Sequence, residues 1–419
     1  MKAVIKPSKA KGEIKIPPSK SMAHRAIICA GLSDGISVID NIDYSDDIIA
    51  TIQCMRKLGA DISCEKNKIT VKGIKDFSGI TDRKIQCGES GSTLRFMIPL
   101  FSLTGQKISF YGKNRLLKRP QNIYKEIFEE QHLLFEHKEE CIEVCGALSA
   151  GRYTISGSVS SQFISGLLFC LPLLNEDSEV FIVPPFESKS YVEMTIQMLK
   201  KFGIDIVWKG ENNLYIKGKQ KYIPHNETIE GDFSQFAFFA VLSAVNNPIK
   251  IYGMDSESIQ GDKNILNILK NFGCNITYAD GAYVVSSSKL CGAQADIGNC
   301  PDLGPILCVL AMFSNGISRI YNAGRLRLKE SDRILAMKTE CAKMGCCIED
   351  KEQKLMIKGE YCTPKNSLCS WKDHRIVMAC AVALSVLGGE IDGCEAISKS
   401  YPSFFDDLKS VGIDVNLHD

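Results

Sequence analysis

Residues 17–25 read Pro-Pro-Ser-Lys-Ser-Met-Ala-His-Arg, and they turn an extended lead-in directly into the start of a helix. The two prolines fix φ and force the residues before them out of helical space, while Ser19 is a good N-cap. The helix continues as a run that is apolar on nearly every face, so it should be buried. Lys20 and Arg25 lie near its positive end, where a cation is unfavourable unless an anion compensates it. In the alternative interpretation, both are surface residues beside an ordinary cap.

The composition is that of an ordinary globular protein. The chain has 419 residues, of which 45% are apolar, and a formal net charge of +1. This length suits two domains, and the near-neutral charge argues against nucleic-acid binding. The first residues lack the apolar core of a signal peptide, so we expect a cytoplasmic protein. The apolar runs are shorter than the ~18 residues that cross a bilayer, so we expect no membrane span.

The eighteen cysteines follow neither a metal-binding nor a disulfide pattern. No Cys-x-x-Cys occurs, and several cysteines, such as Cys29 and Cys170, lie inside apolar helices as small core residues. Without a secretory signal, disulfides are not expected, and the six histidines show no ligand spacing with the cysteines. We therefore predict no structural metal.

An internal repeat of about 70 residues decides the architecture. In five segments an amphipathic helix ends in a Gly and is followed by two short strands; the helix ends lie at residues 58–62, 202–206, 272–276, 344–348 and 411–415. The Gly is typical of the position just after a helix, which needs a left-handed φ. A sixth copy belongs near residues 133–136, where the Gly is missing.

Upstream of each amphipathic helix lies a nearly all-apolar helix whose first turn is polar. These starts are residues 19–21, 88–92, 159–162, 231–235, 300–302 and 371–375. A helix that is apolar all round must be buried, so units of strand, helix, strand, helix, strand and strand should pack with these helices together. Any one polar start is explained by capping alone. Six of them, with Lys or Arg near several, favour an anion-binding surface.

The six units should divide into two domains. The pattern is interrupted near residues 222–230, between the third and fourth units. We expect a first domain over residues 18–228 and a second over residues 1–17 plus 229–419, with the N-terminal strand within residues 4–16 belonging to the second. The chain would then cross between domains twice. Two such crossings make a hinge, and hinged domains commonly close over substrate.

Several other cations are candidates for the anion-binding surface, namely Arg95, Arg119, Lys329, Arg333, Arg375 and Lys399. Lys329 and Arg333 are four residues apart, which would place them on one face of a helix. Arg375 lies at a helix start and calls for an anion as Lys20 does. A solvated charged face is the usual alternative for a run such as residues 325–333.

Eight short motifs occur in order along the whole chain. They are Pro-Ser-Lys-Ser-x-x-x-Arg (18–25), Gly-x-Ser-Gly-Ser-Thr-x-Arg (88–95), Arg-Pro (119–120), Ser-Ser-Gln (160–162), Pro-Asp (301–302), Lys-Glu-Ser-Asp-Arg (329–333), Asp-His-Arg (373–375) and Lys399. Together they resemble the EPSP synthase family of enolpyruvyl transferases. The resemblance implies an α/β fold of two domains, each with three βαβαββ repeats around buried parallel helices, an inside-out α/β barrel.

The implied reaction is a step of aromatic amino-acid biosynthesis. The enolpyruvyl group of phosphoenolpyruvate would pass to the 5-hydroxyl of shikimate 3-phosphate through a tetrahedral intermediate, with loss of phosphate. In this family's pattern Asp302 would be the base for the hydroxyl, and Glu330 and Lys20 the proton carriers, with the choice between those two open. The resemblance implies no metal or organic cofactor and small-molecule partners only, and we expect a monomer.

The resemblance also implies which residues bind each substrate. Shikimate 3-phosphate would be bound by Lys20, Ser21, Arg25, Ser160, Ser161, Gln162, Ser188 and Lys329. Phosphoenolpyruvate would be bound by Lys20, Gly91, Arg119, Arg333, Arg375 and Lys399. Gln162 would lie between the two. Both substrates carry a phosphate and a carboxylate, so several fixed cations are needed to hold them side by side.

Two alternatives stay open at this point. The sister enzyme that transfers enolpyruvyl to UDP-N-acetylglucosamine shares the fold, but it carries a Cys in the loop before its Arg-Pro, and residues 112–120 contain none. A non-catalytic repeat scaffold would use the helix starts as caps only. Glu89, Ser92 and Phe96 depart from the commoner family pattern beside the phosphoenolpyruvate site, so sensitivity to glyphosate is not predicted.

Overall fold

The computed structural model describes residues 1–78, 80 and 82–418. Contacts within the chain divide it into two units, which we term the first domain (Pro18–Ile229) and the second domain (Met1–Pro17 with Glu230–Asp419). Ile229 lies in the first domain, because its N–H donates to the carbonyl of Asp40 at 3.0 Å. Each domain has a hydrophobic core of its own.

The chain begins with two strands of the second domain, β1 (Lys2–Lys6) and β2 (Glu13–Lys15). The first domain follows. Its α-helices are α1 (Lys20–Leu32), α2 (Asp46–Leu58), α3 (Gly91–Ser102), α4 (Asn122–Glu130), α5 (Ser161–Cys170) and α6 (Lys189–Lys201). Its strands are β3 (Ile36–Asp40), β4 (Asp61–Cys64), β5 (Lys68–Lys72), β6 (Lys84–Gln86), β7 (Ile108–Tyr111), β8 (Leu134–His137), β9 (Cys141–Cys145), β10 (Arg152–Ser156), β11 (Ser178–Val183), β12 (Ile206–Trp208), β13 (Asn213–Ile216) and β14 (Glu227–Thr228).

The second domain repeats the same inventory. Its α-helices are α7 (Phe233–Val245), α8 (Ile265–Asn271), α9 (Gly304–Met312), α10 (Arg333–Lys343), α11 (His374–Leu387) and α12 (Phe404–Ser410). Its remaining strands are β15 (Lys250–Tyr252), β16 (Asn275–Ala279), β17 (Ala282–Ser286), β18 (Gln294–Asp296), β19 (Ile317–Tyr321), β20 (Ile348–Lys351), β21 (Lys354–Lys358), β22 (Leu368–Cys369), β23 (Gly389–Asp392) and β24 (Asp414–His418). Short 3-10 turns lie at Leu116–Lys118, Leu171–Leu173, Gly261–Asn264, Pro301–Leu303, Gly324–Leu328 and Cys394–Lys399.

Six four-stranded sheets repeat one topology, which confirms the predicted six-fold α/β fold. In each sheet the first two strands are parallel and the next two follow antiparallel, as in the order β6-β7-β9-β8. The other orders, each read from its parallel pair, are β14-β3-β5-β4, β10-β11-β13-β12, β2-β15-β17-β16, β18-β19-β21-β20 and β22-β23-β1-β24. Strand β14 lies just before the chain leaves the first domain, and it pairs in parallel with β3. Strand β2 lies just before the chain enters the first domain, and it pairs in parallel with β15.

Residues 4–16 supply two strands rather than the single strand predicted. Strand β1 pairs with β23 and β24, whereas β2 pairs with β15 in a different sheet. Pro7 has no N–H to donate to a ladder, and Gly12 takes a φ of 88°, so the extended run is broken between the two strands.

Glycine ends the amphipathic helices as predicted, with positive φ at Gly59, Gly203, Gly273, Gly345 and Gly412. In the sixth copy His132 takes this place, with a φ of 56° and its N–H donating to the carbonyl of Glu129 at 3.0 Å. His is among the residues that tolerate this region better than most. The turn is therefore kept although the glycine is not.

The apolar helices α1, α3, α5, α7, α9 and α11 are buried along nearly their whole length. Five of them begin at a side-chain cap, provided by Ser19, Ser90, Ser160, Asp232 and Asp373. Helix α9 is different, because the 3-10 turn Pro301–Leu303 precedes it and no side chain caps either element. Asp302 is therefore not an N-cap here.

The cysteine thiols are all free, and most belong to the cores. Burial raises the pKa of thiols such as those of Cys170 and Cys308, as expected for packing groups. Within the described residues, no three His, Cys, Asp or Glu side chains are arranged to hold a metal ion. In the same part of the chain, no helix has the length and apolar character needed to cross a membrane.

Candidate active site

The cation at the start of α1 is compensated by a carboxylate of the neighbouring helix. Lys20 Nζ lies 2.7 Å from Asp47 Oδ2, and both side chains are mostly buried. Asp47 lies in the first turn of α2, where a negative charge is favourable. Because an acidic first turn is common to many helices, the sequence did not single out Asp47.

Arg25 ties α1 to α6. Its Nε donates to Thr195 Oγ1 at 2.8 Å, and one of its terminal nitrogens donates to the Tyr191 carbonyl at 2.9 Å. The other donates to the Ser21 carbonyl at 2.6 Å, and burial lowers the pKa of Arg25 to about 10. Ser188, at the N-cap position of α6, has a φ of 57°, and such conformations concentrate at functional sites.

The starts of α3 and α5 are joined by Gln162. Its Nε2 donates to Ser92 Oγ at 2.9 Å, and its Oε1 accepts from Arg95 at 2.7 Å. The same Arg95 nitrogen lies 3.4 Å from Ser160 Oγ. The predicted residues Ser160 and Gln162 are thus brought together, and Ser161 opens α5 between them.

Arg119 lies directly against the first residue of α3. A Cβ added to Gly91 would lie 2.5 Å from a terminal nitrogen of Arg119, so any larger residue there would force this guanidinium to move. The family resemblance assigned Gly91 to phosphoenolpyruvate. The structure adds that it admits a second positive group to the positive end of α3, which suits anion binding.

A buried chain of hydroxyl groups connects α1 to α3, and sequence reasoning missed it. His24 Nδ1 and Thr51 Oγ1 are 2.7 Å apart, and Thr51 Oγ1 lies 2.7 Å from Thr93 Oγ1. Thr93 Oγ1 in turn donates to Ser90 Oγ, the cap of α3, at 2.8 Å. Burial and the charges of Lys20 and Arg25 lower the pKa of His24, so this imidazole is neutral. A lone His and two Thr on three different helices gave no signal for this network.

Asp302 is the centre of what we term the second-domain cluster, which comprises Asp302, Lys329, Glu330, Arg333, Asp373 and Arg375. Asp302 Oδ1 accepts from Lys329 Nζ at 3.1 Å and from Arg333 at 3.0 Å, and Oδ2 accepts from Arg375 at 2.9 Å. Burial raises the pKa of Asp302, but the charges of Arg375, Lys329 and Arg333 outweigh it and hold the pKa well below its usual range. The carboxylate is therefore fully ionised.

Arg333 is the most buried cation of this cluster, with a side chain only 1% exposed. Besides Asp302, its Nε donates to Asp373 Oδ2 at 2.8 Å, and a terminal nitrogen donates to Glu330 Oε2 at 2.7 Å. Burial opposes its charge, but the three carboxylates raise the pKa of Arg333. The planar guanidinium can serve three partners at once, which an ammonium could not do in the same geometry.

The prediction that Lys329 and Arg333 share a helix face is wrong. Helix α10 begins only at Arg333, with Asp332 as its cap, and Lys329 follows the 3-10 turn Gly324–Leu328 in an extended conformation. The two cations meet because both donate to Asp302 Oδ1. Burial lowers the pKa of Lys329 to about 8, although the charge of Asp302 opposes this change.

Arg375 and Lys399 are placed by neighbouring polar groups. A terminal nitrogen of Arg375 donates to Ser234 Oγ at 3.0 Å in addition to Asp302. Lys399 Nζ donates to the carbonyl of Lys372 at 2.6 Å, one residue before Asp373. Lys399 therefore reaches the cluster through the backbone that leads into α11.

Three predicted cations of the second domain are paired with carboxylates. Lys329, Arg333 and Arg375 all donate to Asp302, and Arg333 also pairs with Glu330 and Asp373. In the first domain, Lys20 pairs with Asp47. The second-domain cluster therefore holds a carboxylate among cations.

Two domains, each with three four-stranded sheets of one topology and with cations at the starts of buried helices, define the enolpyruvyl transferase fold. The enolpyruvyl transferase NikO from Streptomyces tendae superposes with a TM-score of 0.79 at 13% identity, covering 99% of this chain and 98% of that one. An EPSP synthase from Acinetobacter baumannii gives a TM-score of 0.80 at 23% identity, covering 99% and 100%. These likenesses establish the fold.

The chain belongs to the EPSP synthase (3-phosphoshikimate 1-carboxyvinyltransferase) family, whose sequence model matches residues 4–408. The 3-phosphoshikimate 1-carboxyvinyltransferase of Clostridium kluyveri is 43% identical over 416 residues, which are 98% of this chain and 97% of that protein. The one from Clostridium perfringens (strain ATCC 13124) is 44% identical over 416 residues, 98% of each. The resemblance predicted from the motifs is thus confirmed, and so is the activity, enolpyruvyl transfer from phosphoenolpyruvate to shikimate 3-phosphate.

Proposed function

We propose that this transfer is carried out by the residues predicted from the sequence, with Asp302 as the base that takes the proton of the shikimate 5-hydroxyl. One observation carries the proposal: an ionised carboxylate accepts from three cations, all of which are themselves predicted to contact substrate. A base must be ionised before it can accept a proton, and Asp302 is.

The first domain supplies the groups that bind the phosphate of shikimate 3-phosphate. Ser160, Ser161 and Ser188 lie at helix starts, where hydroxyls and backbone N–H groups bind phosphate oxygens well. Lys20, Ser21 and Arg25 are assigned to the same substrate, with Gln162 next to it. The cationic side chains of Lys20 and Arg25 support the assignment, because the substrate brings a phosphate and a carboxylate.

Two sets of residues are assigned to phosphoenolpyruvate. Gly91 and Arg119 form one set, and Arg333, Arg375 and Lys399 form the other. In this assignment the anionic groups of phosphoenolpyruvate compete with Asp302 for Arg333 and Arg375. Substrate binding therefore withdraws positive charge from Asp302, which raises its pKa and makes it a stronger base when the hydroxyl is in place.

The bond changes follow from these roles. Glu330 and Lys20 carry the proton that reaches the methylene carbon of phosphoenolpyruvate, while the 5-hydroxyl adds to the adjacent carbon and loses its proton to Asp302. The tetrahedral adduct then expels phosphate as a proton leaves the methyl group, which restores the double bond. The cations stabilise the departing phosphate electrostatically.

The test is phosphate release from phosphoenolpyruvate with either of two acceptors. We expect release with shikimate 3-phosphate and none with UDP-N-acetylglucosamine. Release with the nucleotide sugar alone would favour the sister activity, and release with neither would favour a non-catalytic scaffold. Either result would overturn the proposal.

The pH profile should report the protonation of Lys329. Its pKa of about 8 predicts that kcat/KM for shikimate 3-phosphate falls as the pH rises through this value, because the neutral amine binds the hydroxyls less well. Replacing Lys329 by Arg, which stays charged, should move this alkaline limb to higher pH even if the rate itself drops. The measurement is kcat/KM between pH 6 and pH 10. An unchanged alkaline limb in the Arg variant would assign the titration to another group.

We further propose that the chain acts as a monomer in the cytoplasm and that the segments at residues 17–18 and 229–230 serve as hinges during substrate binding. Support for a monomer comes from the separate core of each domain, which leaves the apolar helices buried without a second copy. Light scattering of the purified chain measures its mass directly. A mass of twice 46.3 kDa would contradict the proposal.

A further inference from the structure

Glu340 is a fully buried carboxylate outside the predicted site. It lies in α10, it is 0% exposed, and its oxygens accept three hydrogen bonds. Oε1 accepts from the indole Nε1 of Trp371 at 2.8 Å, and Oε2 accepts from the backbone N–H of Cys369 at 3.0 Å and from Lys343 Nζ at 2.9 Å. A buried carboxylate is costly unless it is bonded in this way, so its presence in an amphipathic helix requires an explanation.

The segment that Glu340 holds has an uncommon backbone conformation. Trp371 and Lys372 have φ values of 54° and 55°, so two consecutive residues other than glycine are left-handed. Such a conformation is unfavourable and persists only where its surroundings fix it. Asp373 and Arg375 of the second-domain cluster follow immediately, and the carbonyl of Lys372 accepts from Lys399.

Helix α10 contacts this segment at two points. Arg333, at the start of α10, pairs with Asp373, and Glu340, seven residues later, bonds Trp371 and Cys369. Seven residues are about two helical turns, so both side chains leave the same face of the helix. Two attachments on one helix fix both the position and the direction of the segment relative to α10.

We infer that Glu340 is a positioning residue for phosphoenolpyruvate binding: it holds the left-handed turn at Trp371 and Lys372 so that Arg375 and Lys399 are set at the substrate. Glu340 itself touches no substrate. The inference rests on the proposed function, which assigns Arg375 and Lys399 to phosphoenolpyruvate and assigns shikimate 3-phosphate chiefly to the first domain.

The experiment compares KM values for the two substrates. Replacing Glu340 by Ala should raise KM for phosphoenolpyruvate by ~10-fold or more, because small misplacements of binding groups have effects of this size. The KM for shikimate 3-phosphate should change much less. Trp371→Phe keeps an aromatic ring but removes the N–H donor to Glu340, so we expect a smaller rise of the same KM. Glu349→Ala removes a surface carboxylate of the same domain and should leave both constants unchanged.

The outcomes separate positioning from a purely structural role. If Glu340 only stabilises the fold, the variants will melt at lower temperature while the folded enzyme keeps the wild-type KM for phosphoenolpyruvate, and the inference fails. If Glu340→Ala does not fold, Trp371→Phe decides in the same way. If the wild-type chain releases no phosphate with shikimate 3-phosphate, the proposed function fails instead, which is a different result from an unchanged KM in an active enzyme.

Discussion

Asp302→Asn should lower kcat by ~10²–10⁴-fold while the protein still folds. The amide has the size of the carboxyl group, and its oxygen can still accept from one or two of the cations around it. It cannot take the proton of the attacking hydroxyl. Arg333 keeps Asp373 and Glu330 as partners in the variant, so the cluster retains most of its ion pairs.

The measurement is kcat from phosphate release with both substrates saturating, so that weaker binding does not contribute. Asp350→Asn is the matched control, because Asp350 also pairs with an arginine, Arg327, in the same domain but outside the cluster. This control should keep the wild-type kcat. Far-ultraviolet circular dichroism checks that both variants are folded. A folded Asp302→Asn enzyme within about tenfold of the wild-type kcat would mean that another group takes the proton.

The fold could be predicted because its signals are local and repeated. A glycine after an amphipathic helix and a polar turn before an apolar helix each reflect the backbone needs of a few adjacent residues. One copy of such a pattern is weak, but six at a regular spacing are not explained by capping alone. The copy without glycine shows the limit, since nothing in the sequence marks His132 as the left-handed residue.

The partners of the charged residues could not be predicted, because they depend on contacts between distant segments. Lys20 and Arg375 were recognised as cations at unfavourable helix positions, but their carboxylates, Asp47 and Asp302, lie 27 and 73 residues away in the chain. Spacing alone predicted a shared helix face for Lys329 and Arg333. They meet instead at Asp302, because a cap at Asp332 starts the helix after Lys329.

The burial of Glu340 could not be predicted for the same reason. In the sequence this residue is a glutamate on an amphipathic helix, where a solvated position is expected. Its burial follows from the edge strand β22 and the turn after it, which present an N–H group and an indole to α10. No pattern within α10 carries that information.

Arg333→Met should destabilise the second domain by about 3–5 kcal/mol, because it removes one partner from a buried ion-pair network and leaves carboxylates uncompensated. The chain has two tryptophans, so in a Trp208→Phe background the emission of Trp371 reports on the second domain alone. Urea unfolding followed by this emission measures the loss. Arg327→Met is the matched control, because Arg327 also pairs with two carboxylates but is 40% exposed, and such pairs contribute about 0–1 kcal/mol.

The pH dependence of this loss tests its cause. In the wild type the folded pKa of Asp373 is lowered, since the charge of Arg333 outweighs the effect of burial, so the stabilisation is present above the unfolded pKa of about 4 and is lost as the pH falls below it. Without Arg333, burial remains and should raise the folded pKa above the unfolded one. Such a carboxyl group binds its proton more readily in the folded state than in the unfolded state. The folded state of the variant therefore becomes less destabilised as the pH falls and the group is protonated. The difference in unfolding free energy between wild type and Arg333→Met should therefore narrow between about pH 7 and pH 4. A difference that stays constant over this range would mean that lost packing, and not unpaired charge, causes the destabilisation.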